Sequence, residues 1–483
     1  MTRTLLTGGI VLSQDERIGD LEEGDVLIEG DTIVDVGPRL DVTDAEVVDV
    51  RGQIVLPGFV DTHRHMWQGA IGGLAFDWNL GEYLWKVLGT AAAYFRPEDV
   101  YAGGRMSAVQ SFDAGITTVF DFSHISNSPE HADAAVDALF ATGIRAVYGY
   151  GAPGNDAGAW YGPTSDIRQS LDVQRLASER FSSTDQLVTL GLTARGPELS
   201  TLAASLDDIA IGRDLGVVIS LHMGAGRLAD VHGVQQLHEA GALGPDLLHV
   251  HLSSTSGAEL DLVAASGGKA AICPRTEMSM GHGYPAIGRL IERGIVPTPS
   301  MDVVTGVSID MFDEMRALLE AERALVNQRA LDRGDDAPPF SLTAKDAVRF
   351  ATIGGATALG LDAITGSITP GKKADIVVFD PRVGAARPAT GAYASILFGQ
   401  LANVDTVLVG GELRKRKGQI VGIDVDAHCA RGRGIPRTCA GRQRSRSDST
   451  AHARLRLITC GATPVGVAPQ VRFRTVCRST PRD

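Results

Sequence analysis

Residues 57–65 read Pro-Gly-Phe-Val-Asp-Thr-His-Arg-His and follow the apolar run Ile54-Val55-Leu56. On a strand, residues two apart share a face, so His63 and His65 point together at the strand's C-terminal end. Two imidazoles at this spacing form a chelating pair for Zn²⁺ or Fe²⁺. Further strand candidates follow at 117–122, 145–150, 186–192, 216–221, 247–252, 269–273 and 295–300. Helical stretches lie between most of them, such as 129–142, 165–181, 199–215 and 285–293. About eight βα units predict an α/β fold, a (β/α)8 TIM barrel, with chemistry at the C-terminal ends of its strands. A doubly wound sheet would need a phosphate loop. Gly149-x-Gly151-x-x-Gly154 matches the dinucleotide spacing, but Pro153 and a loop-like stretch at 155–163 stand where that motif requires a helix.

The flanks have a different texture. Short β-rich pieces occupy 4–12, 24–29, 32–36 and 46–50, and again 374–379, 404–409 and 411–413. Gly30-Asp31, Gly37-Pro38, Pro370-Gly371 and Gly410-Gly411 punctuate them. Residues 1–56 and 366–425 together predict a small β-sandwich domain built from both ends around a barrel at 57–365.

Residues 426–483 read differently again. From residue 427 onward there are 12 Arg, two Asp and neither Lys nor Glu, and four of the chain's five Cys lie there. The reading is a disordered tail or a shifted reading frame, with an RNA-binding arm through Gly441-Arg-Gln-Arg-Ser-Arg-Ser as the alternative.

The chain has 483 residues, 44% hydrophobic and 21% charged, as expected of a globular protein. No run approaches a membrane span, and Gly8-Gly9 interrupt the only apolar stretch at the N-terminus. A cytoplasmic location is expected, without membrane partners. The net charge of −13 leaves −23 for residues 1–426 once the basic tail is removed, which argues against nucleic-acid binding. Cys273 is the only body cysteine, so no disulfide framework exists there.

"VLPGFVDTHRH" (55–65) resembles the opening strand of the amidohydrolase superfamily, more narrowly the branch holding cytosine and guanine deaminases and triazine hydrolases. "GSITPGKKADIVVFD" (366–380) is similar to another piece of that family. The resemblance spans about residues 1–425. It implies a barrel with a two-ended β-sandwich, one divalent metal, and hydrolysis of a non-peptide C–N or related bond in a small molecule. It also suggests a homo-oligomer. His63 and His65 match the first-strand ligands. His222, ending "VVISLHMGAG", matches the third histidine ligand, and Asp302 in "VPTPSMDVV" matches the aspartate that binds metal and takes a proton from water. The sixth strand offers His249 and His251. His251 is nearer the active end and is preferred as the histidine facing bound water or substrate, which leaves His249 as a buried structural residue.

The chemistry agrees with this assignment. Three neutral imidazoles leave Zn²⁺ its full charge, which acidifies a water strongly. Asp302 can take that water's proton, and a further histidine can stabilise an oxyanion or protonate a leaving amine. Two-metal relatives in the family use a bridging lysine or acid on a middle strand, and no lysine falls near the end of the fourth strand, "LGLTAR" (190–195), so the resemblance implies one metal, Zn²⁺ ahead of Fe²⁺.

One departure stands out. Deaminases of the branch carry Glu three residues after the fifth-strand histidine, and here that position is Ala225. Glu277 and His282, in "PRTEMSMGHG", are the candidate catalytic substitutes. Trp67, Gln68, His124, Asn127 and Arg195 are the candidate substrate contacts, Trp67 by stacking on a planar ring and Arg195 by gripping a carboxylate or carbonyl. The expected activity is deamination or cyclic-amide opening by metal hydroxide. The alternatives are dechlorination or another C–X hydrolysis, or a metal-retaining binding homologue without catalysis.

Overall fold

The protein is described from a computed structural model covering residues 2–153, 164–181, 183, 185–384, 386 and 391–423. The tail and the loop expected at 155–163 lie outside the described residues.

Eight parallel strands form the barrel sheet: β6 (Phe59–Arg64), β7 (Ile116–Ser123), β8 (Arg145–Tyr150), β9 (Val188–Ala194), β10 (Ile219–Met223), β11 (Leu247–His251), β12 (Lys269–Ile272) and β13 (Pro297–Pro299). They are paired in chain order from β6 to β13. Nearly every residue of these strands is buried, as parallel strands covered on both faces require.

The seam between β13 and β6 is built differently. Pro297 and Pro299 carry no N–H, so a regular ladder cannot form there. Instead Thr62 Oγ1 lies 2.8 Å from Thr298 Oγ1 and 2.6 Å from Ser300 Oγ. The Met301 N–H donates to Asp61 Oδ1 at 3.1 Å. The Asp302 N–H donates to the His63 carbonyl (3.0 Å), and the His65 N–H donates to the Asp302 carbonyl (3.1 Å). The barrel therefore closes at the residues singled out as metal ligands.

The second sheet has nine strands from both ends of the chain. β1 (Arg3–Leu12), β2 (Asp20–Glu29), β3 (Thr32–Gly37), β4 (Glu46–Asp49) and β5 (Ile54–Pro57) precede the barrel. β14 (Ile376–Phe379), β15 (Val404–Val409), β16 (Glu412–Arg416) and β17 (Gln419–Ile420) follow it. The two sets meet where β5 pairs antiparallel with β14. Leu6, Val11, Val26, Val55, Ile376 and Val378 give this sheet an apolar core of its own, consistent with a β-sandwich domain. Only Gly58 separates β5 from β6. A Cβ there would stand 2.1 Å from Thr117 Oγ1, so glycine is needed for the close approach.

Several elements are shorter than expected, and two of them show why. The helix expected at 165–181 is confined to Asp172–Arg180. Gln169 before it instead donates to the Tyr150 carbonyl (3.2 Å), tying the segment to a strand end. The strand expected from 216 starts at Ile219, because Gly216, at φ 66°, caps the preceding helix Leu202–Leu215 in the left-handed conformation.

Arg145, the first residue of β8, joins barrel to sheet. Its guanidinium grips the buried Asp375 carboxylate at 2.5 and 3.1 Å, and Asp375 also accepts the Gly410 N–H at 2.7 Å. Breaking a buried pair strands its partner, at a cost of about 3–5 kcal/mol, whereas an exposed pair contributes about 0–1 kcal/mol. Arg145→Met should therefore lose several kcal/mol in a denaturant titration while Arg17→Met, whose side chain is 85% exposed, should match wild type.

Candidate metal centre and cavity

His63 and His65 leave the end of β6, His222 lies near the end of β10, and Asp302 lies three residues past β13. The structure brings all four together, with one ligand atom of each within 4.8 Å of the others. His63 Nε2 lies 3.2 Å from Asp302 Oδ1 and 3.3 Å from His222 Nε2, and His65 Nε2 lies 3.3 Å from the same Oδ1. His65 donates through Nδ1 to the Phe122 carbonyl at 2.9 Å, which leaves its Nε2 with a lone pair facing the cluster. Burial drives His63 down to about 4, and burial with the neighbouring imidazoles holds His222 well below the ordinary histidine range. Neutral nitrogens and one carboxylate oxygen make a donor set suited to a divalent transition metal. Burial works against ionisation of Asp302, but contacts with His63 and His65 hold its carboxyl well below the usual range.

His251 ends β11 beside this cluster, its ring stacked on His222 at 5.5 Å. Its Nδ1 lies 3.2 Å from Glu277 Oε1, which leaves Nε2 for the cavity. Burial pulls His251 down, but the Glu277 contact and the Asp302 charge outweigh it and raise it above the ordinary value. His251 (φ 80°) and Asp302 (φ 56°) both adopt left-handed backbone. Such strain costs roughly 1–3 kcal/mol per residue and gathers at functional sites. His249 is buried one layer below, its Nδ1 3.2 Å from the Lys269 carbonyl.

The cavity over the cluster is lined by His65, His124, His222, His251, His282 and Asp302, with an apolar wall that includes Leu84, Leu88, Ala225, Leu228 and Met280. Ala225 therefore does face the site. His282 is buried with neither ring nitrogen hydrogen-bonded, and burial lowers it to about 3, with His251 adding to the effect.

The other candidates are arranged differently. Glu277 does not line the cavity. Its Oε1 accepts the Cys273 N–H (2.8 Å) and faces His251, so it reaches the site only through that imidazole. Trp67 is buried behind His124, donating from Nε1 to His124 Nδ1 at 3.1 Å and packing edge-on against Phe95, so it does not present a stacking face. Gln68 is consumed by Tyr83 (2.6 Å) and Thr305 (3.1 Å). Asn127 donates to the Ala92 carbonyl (3.0 Å). Arg195 pairs with buried Asp208 at 3.2 Å, which anchors the end of β9 to the following helix. None of these four lines the cavity.

Sequence reasoning missed the apolar wall and Glu198. Both Glu198 carboxylate oxygens lie 2.9 Å from the Gly224 N–H, pinning the turn that carries Ala225. A Cβ on Gly224 (φ +72°) would stand 2.0 Å from Thr255 Oγ1. The acid–glycine pair has no short-range signature, since the residues lie 26 apart.

The amidohydrolase family model matches residues 54–414. A 5'-deoxyadenosine deaminase from Methanothermobacter thermautotrophicus is 27% identical over 431 residues, covering 86% of this chain and 94% of that protein. Among solved structures, an adenosine deaminase from Xanthomonas campestris with bound zinc has a TM-score of 0.76 at 22% identity, covering 89% of this chain and 97% of that one. An atrazine chlorohydrolase from Arthrobacter aurescens TC1 complexed with zinc has a TM-score of 0.76 at 21% identity, covering 89% and 99%.

Burial raises Glu198 from 4.5 to about 7. The unfolded chain ionises this group first, so its contribution is most favourable below pH 4.5 and is lost as pH rises to about 7. Glu198→Gln should therefore gain stability relative to wild type between pH 5 and pH 8, on the order of 3 kcal/mol by pH 8. Parallel pH–stability curves from denaturant titrations would show that Glu198 does not titrate in this window.

Proposed function

The chain belongs to the amidohydrolase family, and from that premise we propose that it hydrolyses a non-peptide C–N bond of a small cyclic substrate. In this reading His63, His65, His222 and Asp302 hold one divalent ion, zinc ahead of iron. The observation that carries it is the convergence of three imidazole Nε2 atoms and one carboxylate oxygen at the mouth of a buried barrel. A bound divalent ion would supply Lewis acidity and lower the pKa of a water to about 7.

The chain's own residues do the rest. Asp302, kept ionised by its imidazole neighbours, takes the proton from the attacking water. His251, steadied by Glu277 and raised above the ordinary histidine range by that contact, turns Nε2 toward the oxygen or nitrogen on which negative charge develops. His282, neutral and without a hydrogen-bond partner, lies beside Asp302 and relays the proton that Asp302 took from the water to the leaving group. The leucine wall excludes bulk water, which strengthens each of these interactions. A cytoplasmic dimer or larger assembly, with the described sheet and barrel as its two domains, completes the proposal.

A second reading is hydrolysis of a C–X bond such as a ring chloride. Ala225 favours it, because no carboxyl other than Asp302 lines the cavity among the described residues. Elemental analysis should find about one metal per chain in wild type and almost none in the His63→Ala, His65→Ala double variant. Ammonia release from an amino-heterocycle panel supports the first reading, and chloride release from chlorinated rings supports the second. A metal-free wild type that resists reconstitution would sink both.

A further inference from the structure

The cavity is lined by two kinds of group, imidazoles around the metal cluster and a larger set of apolar side chains. His124 stands at the metal end, its ring stacked on His65 at 4.0 Å. Its Nδ1 receives the Trp67 Nε1–H at 3.1 Å. An indole N–H only donates, so Nδ1 must accept, and the ring proton must sit on Nε2. That Nε2 is buried, has no hydrogen-bond partner and belongs to a cavity-lining residue. His124 is therefore a donor whose direction is set by Trp67, which acts as a positioning residue. An unmatched buried donor costs about 1–3 kcal/mol, so a substrate that offers it an acceptor is favoured.

Apart from the imidazoles of His65, His222, His251 and His282 and the Asp302 carboxylate, the remainder of the lining is the opposite in character. Leu80, Leu84, Leu88, Leu199, Leu228 and Met280 face the same cavity. Among the described lining residues there is no Lys, Arg, Asn, Gln or Glu, and Asp302 belongs to the metal cluster. Tyr83, also in the lining, has its hydroxyl engaged by Gln68 at 2.6 Å. The hydroxyls of a sugar would be buried against this wall without partners, and a charged substituent would meet no counter-charge.

We propose that the cavity selects an uncharged ring that offers an acceptor atom to His124 and an apolar substituent, rather than a sugar, to the leucine wall. The proposal rests on the hydrolase reading for its metal but concerns recognition, so binding tests it apart from turnover.

The probes are amino-purine, amino-pyrimidine and amino-triazine rings, each as its riboside and as its N-butyl analogue. Their affinities for the zinc-loaded full chain are measured by calorimetry. For at least one ring, the butyl compound should bind at least tenfold more tightly than the riboside. Leu228→Asn should weaken the butyl compound about tenfold and leave the riboside unchanged. Trp67→Phe, which frees His124 to turn or change tautomer, should weaken binding of an acceptor-bearing ring more than binding of its carbocyclic isostere. Riboside binding as tight as butyl binding overturns the proposal, as does failure of every butyl compound to bind. Tight butyl binding with no ammonia or chloride released would leave this inference standing and remove the proposed activity.

Discussion

Closure of the barrel between its first and last strands is the constraint on which the site depends. β13 is three residues long and two of them are prolines, so its ladder to β6 cannot be regular. The backbone bonds that do cross run between His63, Asp302 and His65, at the end where their side chains converge. Below them, Asp61 accepts from Met301 and is held by the wholly buried Arg64 at 2.7 Å. The same few contacts thus shut the barrel and set the spacing of three of the four candidate ligands. The left-handed backbone at Asp302 is the local cost of that geometry.

Around this seam, proton positions are assigned by neighbours rather than left to solvent. The Phe122 carbonyl accepts the Nδ1–H of His65, Trp67 donates to Nδ1 of His124, and Glu277 faces Nδ1 of His251. Each contact leaves one Nε2 for the cavity, a lone pair at His65 and an N–H at His124. In a buried site these assignments matter, because a wrongly placed proton would leave two donors or two acceptors facing each other without water to intervene.

Much of this was legible in the chain. Strand alternation places His63 beside His65 and separates His251 from His249, because the side-chain period of two is strict. The texture of the two ends announced a shared sheet, and β5 pairs with β14. What stayed hidden depends on contacts distant in sequence. Proximity to the histidine pair suggested that Trp67 and Gln68 reach substrate, but the short helical turn at Met66–Ile71 carries them back under the barrel end. Arg195 was a candidate either for a ligand or for an ion pair with an acid such as Glu198, and the pair is made with Asp208, thirteen residues on in the next helix. The cavity wall from Leu80 to Leu88 comes from a short helix running into a π-helical segment, where no simple apolar period marks the inward face.

The alanine at position 225 acquires a physical meaning in this setting. A divalent ion beside Asp302 would leave the cluster with one net positive charge, close to neutral imidazoles and an apolar wall. A second carboxylate in the wall would cancel that charge and would itself need a partner in a cavity that provides few. With alanine there, the proposed reaction would meet the field of the cluster undiminished, and charge developing on an electron-poor ring would be stabilised without help from ring protonation. The turn that presents Ala225 is not slack. Glu198 clamps Gly224 from one side, and the Gly226 N–H donates to the His282 carbonyl at 2.6 Å on the other. An acid is thus absent from a rigidly built position, while His282 is tied to that same turn. Under the proposed function, proton transfer at this end of the cavity would fall to an imidazole, a group that can both accept and donate without carrying a permanent charge into the apolar site.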